Sequence, residues 1–423
     1  MEKHLKRLAG EIQELIYLAK DIAESSGFNA YLIGGFVRDL ILGVKNLDLD
    51  IAVEGDGIKF SEAFAQKLNA KVITHKRFGT ATVTLKHRLK IDIATTRKEY
   101  YPEPGCLPVV NHGTLKDDLY RRDFTINTLA ISISGENFGK LIDPFNGKSD
   151  IEHKNVRILH NLSFIDDPTR ILRAIRFEQR YNFKIEHNTL KCLKESVGLK
   201  MLSIVQPQRL RDEMILILKE KRPVKQIRRI QELVGFDFIR PGLKVSEATL
   251  RLFASVDSQL YWFKSNFTLH RPLDVWLIYF MALIDSQGEQ EAEKICQRFV
   301  LRKGEGKRIL SYFGSRSGVV PKLSKQKILP STVFRLLEPL SYEVILLIKA
   351  GCSNKKALKH IEDFFHLYNG TDVSVSGHDL NGLGIAPGPH YQKIFSKLLN
   401  AKLNGKVKTK KDEMAFAAKL KKH

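Results

Sequence analysis

Residues 31–53, YLIGGFVRDLILGVKNLDLDIAV, decide how this chain is read. Apolar and acidic side chains alternate over residues 47–53. A β-strand there would set Asp48 and Asp50 on one face and Leu47, Leu49 and Ile51 on the other. Two carboxylates on one face repel each other at neutral pH. A fold tolerates them at a solvated edge or around a bound cation, and hard cations such as Mg²⁺ take oxygen ligands of this kind. Enzymes that displace phosphates hold metals in that way. Upstream, Gly34-Gly35 follows the apolar run Tyr31-Leu32-Ile33 and precedes Phe36-Val37-Arg38-Asp39, which reads as strand, tight turn and helix. Such a turn admits a phosphate to the free N–H groups of a helix start; it is also an ordinary way to reverse a chain. Neither G-x-x-x-x-G-K-[ST] nor G-x-G-x-x-G occurs, so P-loop and Rossmann readings lose their best support.

Alternation returns at Leu89-Lys90-Ile91-Asp92-Ile93-Ala94, after residues 82–85 and a short polar turn, as in a hairpin. Asp92 is then either a surface acid or the third carboxylate of a metal-dependent site that activates a hydroxyl. Further on, Asp166-Asp167-Pro168 suits a helix start. Arg170, Arg173 and Arg176 follow at intervals of three, among Ile171, Leu172, Ile175 and Phe177. Asp167 and Arg170 stand one turn apart and can point together, or serve merely as a helix cap with an i,i+3 ion pair.

The 423 residues carry 69 Lys+Arg against 47 Asp+Glu, a formal charge of +22, which favours a polyanionic partner such as RNA or DNA. Neither a basic amphipathic segment with bulky apolar anchors nor a span of transmembrane length is apparent. The first 27 residues read as an amphipathic helix closed by Ser25-Ser26-Gly27, without the apolar core of a signal peptide. Cys106, Cys192, Cys296 and Cys352 are widely spaced and form no CxxC, as expected of reduced thiols in a cytoplasmic protein.

Taken together, GGFVRD (34–39), LDLD (47–50), RRDFTIN (121–127) and DDPTRILRAIRF (166–177) resemble the class II tRNA nucleotidyltransferases. These group with the bacterial poly(A) polymerases in the DNA polymerase beta superfamily. The order and spacing of the motifs match as well, over roughly residues 28–215. The resemblance implies an enzyme that adds C and/or A from CTP and ATP to the 3′ end of tRNA, without a nucleic-acid template and with Mg²⁺ as cofactor. Asp48 and Asp50 would bind the metal, with Asp92 as a further catalytic carboxylate. Gly34, Gly35 and Arg38 would belong to the triphosphate cradle, Arg122 and Asp123 would organise the nucleotide pocket, and Asn127 would face the ribose. Taken alone, Arg121-Arg122-Asp123 is equally a solvated helix start. Residues 141–147 with Asp150 also match and close the catalytic region.

In that family an Asp and an Arg act as a protein template for the incoming base. Cytosine and adenine both present an amino donor beside a ring-nitrogen acceptor, which Asp167 and Arg170 would complement; uracil and guanine would face the Asp with a second acceptor. Arg173 and Arg176 would share that nucleotide-binding helix. The family usually has Glu before the Asp. Here Asp166 is one methylene shorter, which bears on how Arg170 is oriented.

The expected fold is α+β: a polymerase-beta-like head with a mixed sheet and helices, then an all-helical neck, body and tail. The head spans residues 1–150, the neck with the nucleotide-selecting motif 151–220, an RNA-binding body 221–368 and a basic RNA-binding tail 369–423. Helices are expected over 170–180, 189–195, 207–219, 245–255, 274–284, 290–299, 339–350 and 356–367. Gly377, Asp379, Leu380 and Gly388-Pro389 match the family's tail, and Lys402, Lys406, Lys408, Lys410 and Lys411 are its candidate RNA contacts, with Lys419, Lys421 and Lys422 beyond. His378-Asp379 is also a metal-phosphohydrolase dipeptide, without a supporting His or Asp cluster. Residues 98–118, where the family has the loop that governs the switch from C to A, argue against a CC-only enzyme. Poly(A) addition and A addition alone share every motif. A non-catalytic RNA-binding scaffold is the rival outside the class, and the intact acids oppose it.

Overall fold

The computed structural model describes residues 1–44, 48–86, 89–268 and 272–420, so Leu47, Lys421 and Lys422 lie outside the described residues. The chain forms two compact units, Met1–Met214 with Arg228–Phe238, and Ile215–Ile227 with Ile239–His423.

The first unit is built on a mixed sheet. Its strands are β1 (Asn29–Ile33), β2 (Leu49–Glu54), β3 (Lys71–His75), β4 (Thr80–Thr84) and β5 (Lys90–Thr95); a separate ribbon, β6 (Arg97–Tyr100) and β7 (Val109–His112), precedes β8 (Ala130–Ser132) and β9 (Leu141–Ile142). Seven strands lie in the order β3-β4-β5-β2-β1-β8-β9. The hairpin expected before Asp92 is β4–β5. Strand β2 runs antiparallel to β1 but parallel to β5, in a register that sets Asp50 beside Asp92. The strand starts at Leu49, so Asp48 sits just ahead of it and is exposed.

Alternation explains the two faces of β2. Leu49, Ile51 and Val53 are buried toward the helix Gly57–Lys67, which contributes Phe60 and Phe64 and packs on β2, β4 and β5. Asp50, Ala52 and Glu54 share the opposite face. There Ala52 packs with Ile33, Leu115, Leu119 and Ala130 under the helix Leu115–Tyr120. Glu54 accepts from the backbone N–H of Leu115 at 2.5 Å and from the Tyr31 hydroxyl at 2.9 Å, tying that helix to the sheet. The acidic face is thus sealed along its middle and open where Asp50 lies.

The expected amino-terminal helix divides into Glu2–Leu5 and Gly10–Ser26, and Gly27 closes the latter in the left-handed conformation. The stretch that the sequence left as a loop, residues 98–118, holds the β6–β7 ribbon.

The second unit is helical, with Glu247–Asn266, Val275–Leu283, Glu289–Arg298, Lys303–Leu323, Pro330–Leu337, Tyr342–Gly351 and Lys355–Asp363 in turn. Lys303–Leu323 was not expected, because four glycines and Pro321 disguise its apolar spacing. All four cysteines are free, and among the described residues no helix is long and apolar enough to cross a membrane.

Residues 373–420 form a small core of Val375, Leu380, Ile385, Ile394, Leu398 and Ala417. The Glu413 side chain is fully buried beside it. It accepts from the N–H groups of Ser374 (2.7 Å) and Val375 (3.0 Å) and pairs with Lys402 at 2.8 Å. Lys402 also donates to the Asp372 carbonyl at 2.7 Å. Its ammonium is thus engaged inside the tail. Lys410 pairs with Asp379 at 2.9 Å while remaining half exposed, and Lys406, Lys408 and Lys411 are exposed. Asp379 is further engaged in a capping box with Ser376, which accounts for the His378-Asp379 dipeptide without a metal.

Glu413→Ala should loosen the tail. Two buried N–H groups and the Lys402 ammonium would lose their acceptor, at a cost of about 3 kcal/mol. Hydrogen exchange over residues 373–413 should accelerate while exchange in β1, β2 and β5 stays at its original rate.

Candidate active site

The Gly34-Gly35 turn carries the chain from β1 into the helix Gly35–Leu42. Gly34 has φ 62° and ψ −123°, a conformation open essentially to glycine alone. A Cβ there would also collide with the Arg122 guanidinium. Gly35 is under no such constraint. The turn is therefore fitted to Arg122, whose own position is set by the buried Asp118. That carboxylate takes Arg121 Nη2 at 2.8 Å and Arg122 Nη2 at 3.1 Å. Burial pushes the Asp118 pKa up, but the two guanidinium charges and their hydrogen bonds outweigh it and hold the group below the usual carboxylate range.

A chain of side chains runs from this turn to the arginine-rich helix Thr169–Tyr181. Arg38 is buried, donates to Asp39 at 2.8 Å and to the Asn127 side-chain oxygen, and lies 4.7 Å from the centre of the Tyr181 ring. Asn127 in turn donates to Asp123 Oδ1 at 2.8 Å, which also accepts from Phe124 N at 2.9 Å. Arg173 closes on the other oxygen, Nε at 2.8 Å and Nη2 at 2.6 Å, and reaches Glu213 at 3.0 Å. Burial opposes ionisation of Asp123, yet the Arg173 charge and these hydrogen bonds hold its pKa well below the usual range. Arg121-Arg122-Asp123 is accordingly no solvated helix start. It follows the helix Leu115–Tyr120 and enters the short turn Thr125–Asn127. That turn is braced by Asp150, which accepts from Thr125 Oγ1 at 2.6 Å, and Gly147 fits against the Thr125 carbonyl.

These residues line a cavity of about 710 Å³ that includes Gly35, Arg38, Asp50, Arg122, Asp123, Asn127, Asp167, Arg170, Arg173 and Arg176. Its described lining carries nine arginines and six acids, a surplus of fixed cations suited to a polyphosphate. Arg122 Nε is buried there without a hydrogen-bond partner among the described residues, a donor left over for an incoming oxygen.

Asp50 enters the cavity wall from β2. Burial is the main reason its pKa is pushed up to about 6; Arg122 pulls it down, Asp92 and Asp48 push it up, and Arg38 pulls again. Asp92 is exposed on β5 and accepts from Thr82 Oγ1 at 2.6 Å. Among the described residues no three His, Cys, Asp or Glu side chains converge tightly enough to enclose a cation on their own. The donors are nonetheless all carboxylate oxygens, with the Asp92 and Asp48 charges near enough to push up the pKa of Asp50, a set that suits a hard cation sharing its coordination with further oxygens.

Asp167 and Arg170 both line the cavity but do not bond to each other. Asp167 Oδ1 accepts from Thr169 N at 3.1 Å, Thr169 Oγ1 at 2.6 Å and Arg209 Nη2 at 2.8 Å. Arg170 is buried and donates to Ser163 Oγ at 2.6 Å and to the Arg121 carbonyl at 2.9 Å. Asp166 faces His160 at 3.9 Å. Arg209 spans further, to the Gly105 carbonyl at 3.1 Å on the β6–β7 turn. Sequence reasoning missed Arg209 and Glu213, both on the helix Pro207–Leu218. Arg176 approaches Glu213 as well, at 3.6 Å.

Comparison with known proteins follows this geometry. Residues 30–157 match the model of the poly A polymerase head domain, and residues 182–246 that of the probable RNA- and SrmB-binding site of polymerase A. The chain is 38% identical over 99% of its length to an A-adding tRNA nucleotidyltransferase of Geobacter sulfurreducens, of which it spans about half (48%). It is 30% identical to the A-adding tRNA nucleotidyltransferase of Halalkalibacterium halodurans, over 98% of this chain and 94% of that one. The Thermotoga maritima CCA-adding enzyme complexed with tRNA-CCA superposes with a TM-score of 0.72 at 33% identity, over 99% of this chain and 98% of that one. With Asp50, the glycine turn and the arginine-rich helix at one cavity and these relatives over nearly its whole length, the chain belongs to the tRNA nucleotidyltransferase and poly(A) polymerase family of polymerase-beta-like enzymes.

Proposed function

We propose that this protein is a cytoplasmic, template-independent nucleotidyltransferase that adds C and/or A residues from CTP and ATP to the 3′ end of tRNA. The observation that carries the reading is the single cavity that unites Asp50, the Gly34-Gly35 turn and the arginines of the helix Thr169–Tyr181. The relatives' names and the tRNA complex of the Thermotoga enzyme support the substrate class. Addition of A alone is the second reading, favoured by the names of both the Geobacter and Halalkalibacterium relatives. Incubation with tRNAs ending at the discriminator base, at C and at CC, each with CTP, ATP or both, separates the two. Extension of the CC-ended tRNA alone means A addition. Failure to extend any of them removes the whole reading.

In this reading the arginines receive the triphosphate. Arg122 offers its spare Nε, and Arg38, held by Asp39 and Asn127, keeps the pocket floor in place. Asp48 and Asp50 hold Mg²⁺, with Asp92 beside them on the neighbouring strand. Bound there, the cation supplies charge for the attacking 3′ oxygen and for the departing pyrophosphate. Asp50, whose pKa burial pushes up to about 6, is poised to take the hydroxyl proton or to stay ionised once a cation is near. Asp123 and Arg173 line the pocket and hold Asn127 and the helix at its ribose side.

Base choice falls to Asp167 and Arg170. Among the described residues, Thr169 and Arg209 both bond to Asp167 through Oδ1, which fixes the carboxylate and leaves Oδ2 to accept from an amino group. Arg170 is fixed by Ser163 and the Arg121 carbonyl, so it is oriented before a nucleotide arrives.

Three outcomes check these roles. Asp48→Ala with Asp50→Ala should abolish transfer while tRNA binding persists; substantial residual transfer would sink the metal assignment. Lys406→Gln, Lys408→Gln and Lys411→Gln together, which spare the buried Lys402–Glu413 pair, should flatten the salt dependence of tRNA binding by about two units of slope. An unchanged slope would make these lysines surface solvation only. Asp167→Ala and Arg170→Ala should each shift the ratios of CTP and ATP to UTP and GTP incorporation by about ten- to a hundredfold. Equal loss for all four nucleotides would mean that the two side chains are structural.

A further inference from the structure

The second unit contains a basic groove that the active site does not use. It has a volume of about 880 Å³ and lies between residues 219–222, the helix Glu247–Asn266 and the start of the helix Val275–Leu283. Its rim carries Lys219, Lys221, Arg222 and Lys264, all exposed. Between them stands Tyr261, 77% exposed, the most exposed large apolar side chain among the described residues. An aromatic ring held out into solvent loses the burial that would reward it and gains only if a partner covers it.

The groove also holds three acids, Glu220, Asp257 and Asp274, and each is already engaged. The Tyr279 hydroxyl donates to Asp257, and Arg308 holds Asp274 at 2.7 Å. Among the described residues Lys219, Lys221 and Lys264 form no ion pair, and all three are exposed. Arg222 has φ 60°, a strained conformation for a non-glycine residue, which fixes where the segment turns. Ammonium groups around a free ring match a sugar-phosphate chain with one base turned out onto the ring. A membrane surface would call for several apolar anchors in a row, whereas here a single tyrosine stands among lysines.

We infer that this groove is a second RNA subsite, in which an unpaired nucleotide of the tRNA, away from its 3′ end, stacks on Tyr261 while Lys219, Lys221 and Lys264 neutralise the flanking phosphates. The inference rests on the tRNA reading above and extends it beyond the catalytic cavity. Residues 219–222 lie within the stretch matched by the RNA-binding model, but Tyr261 and Lys264 lie outside it.

The test is equilibrium binding of deacylated tRNA to the full chain across a salt series, followed by 3′-end addition at saturating tRNA. Tyr261→Ala should weaken binding by about five- to a hundredfold, and Tyr261→Phe, which keeps the ring, by less than about twofold. Lys219→Gln, Lys221→Gln and Lys264→Gln together should lower the salt slope by about two. All these variants should retain addition once tRNA is saturating, because none touches the catalytic cavity. Ultraviolet cross-linking should map an RNA adduct to residues 247–266. Wild-type affinity and slope in the Tyr261→Ala and triple-lysine proteins, with addition intact, would overturn the subsite and leave the tRNA reading standing. Absence of tRNA binding by the unaltered protein would overturn both. Capture of an acidic peptide rather than tRNA at Tyr261 would also overturn it.

Discussion

The buried ion pair between Asp123 and Arg173 is the constraint around which the active site is arranged. Asp123 takes four donors, from Phe124, Asn127 and two nitrogens of Arg173. A buried carboxylate needs that many, since an uncompensated charge in such a place costs several kcal/mol. Satisfying it joins residues fifty apart in sequence, pinning the helix Thr169–Tyr181 to the turn Thr125–Asn127. Through Asn127 the same carboxylate reaches Arg38, and through Arg38 the helix that leaves the glycine turn. Nucleotide pocket and phosphate turn therefore share one electrostatic support. Weakening it would loosen the turn and the arginine-rich helix together rather than one contact at a time.

The sheet supplies the other half of the geometry. Because β2 and β5 run parallel, Asp50 and Asp92 come from equivalent points on neighbouring strands and share a face. A parallel pair requires a crossover, and here it is made by the helix Gly57–Lys67 and the strands β3 and β4. That crossover buries the apolar face of β2, which leaves the acidic face as the one that looks toward the arginines. Burial of Asp50, with a smaller contribution from the neighbouring Asp92 and Asp48 charges, raises its pKa and is the energetic cost of the arrangement. The fold tolerates it because Arg38 and Arg122 partly offset it and because the sheet is held elsewhere by Ile51, Val53 and their neighbours.

The parts of this site that were legible in the sequence are those fixed by short-range rules. Alternation marked Asp50 and Asp92, and Gly34 was conspicuous because the turn needs a positive φ. The spacing of Arg170, Arg173 and Arg176 was equally plain. What escaped notice depends on distant partners. Arg209 and Glu213 sit on a helix of ordinary amphipathic pattern, and their partners Asp167 and Arg173 lie 42 and 40 residues earlier. No periodicity connects them. Lys402 shows the opposite case: a lysine inside a basic run looks like its neighbours, and only the fold reveals that it faces the buried Glu413. The long helix Lys303–Leu323 was hidden by residues whose helix propensity is poor, and tertiary packing of Ile309, Tyr312 and Phe313 overrides that penalty.

Asp167 and Arg170 illustrate why spacing alone does not define a recognition pair. With Asp167 extended just ahead of the helix that carries Arg170, the two could have satisfied each other, and a closed ion pair would have left their polar atoms nothing to offer. Instead each is held from outside the pair, Asp167 by Thr169 and Arg209, Arg170 by Ser163 and the Arg121 carbonyl. The external anchors provide the desolvation partners that two buried charges require, while their remaining donor and acceptor atoms stay uncommitted to one another. Arg209 also bonds the Gly105 carbonyl, so the orientation of the Asp167 carboxylate is tied to the turn of the β6–β7 ribbon. Any displacement of that ribbon must then either carry Asp167 with it or break a charge-assisted hydrogen bond. The ribbon and the Asp167 carboxylate therefore move as one mechanical unit, which makes the shape of the pocket sensitive to a segment that supplies few of its polar groups.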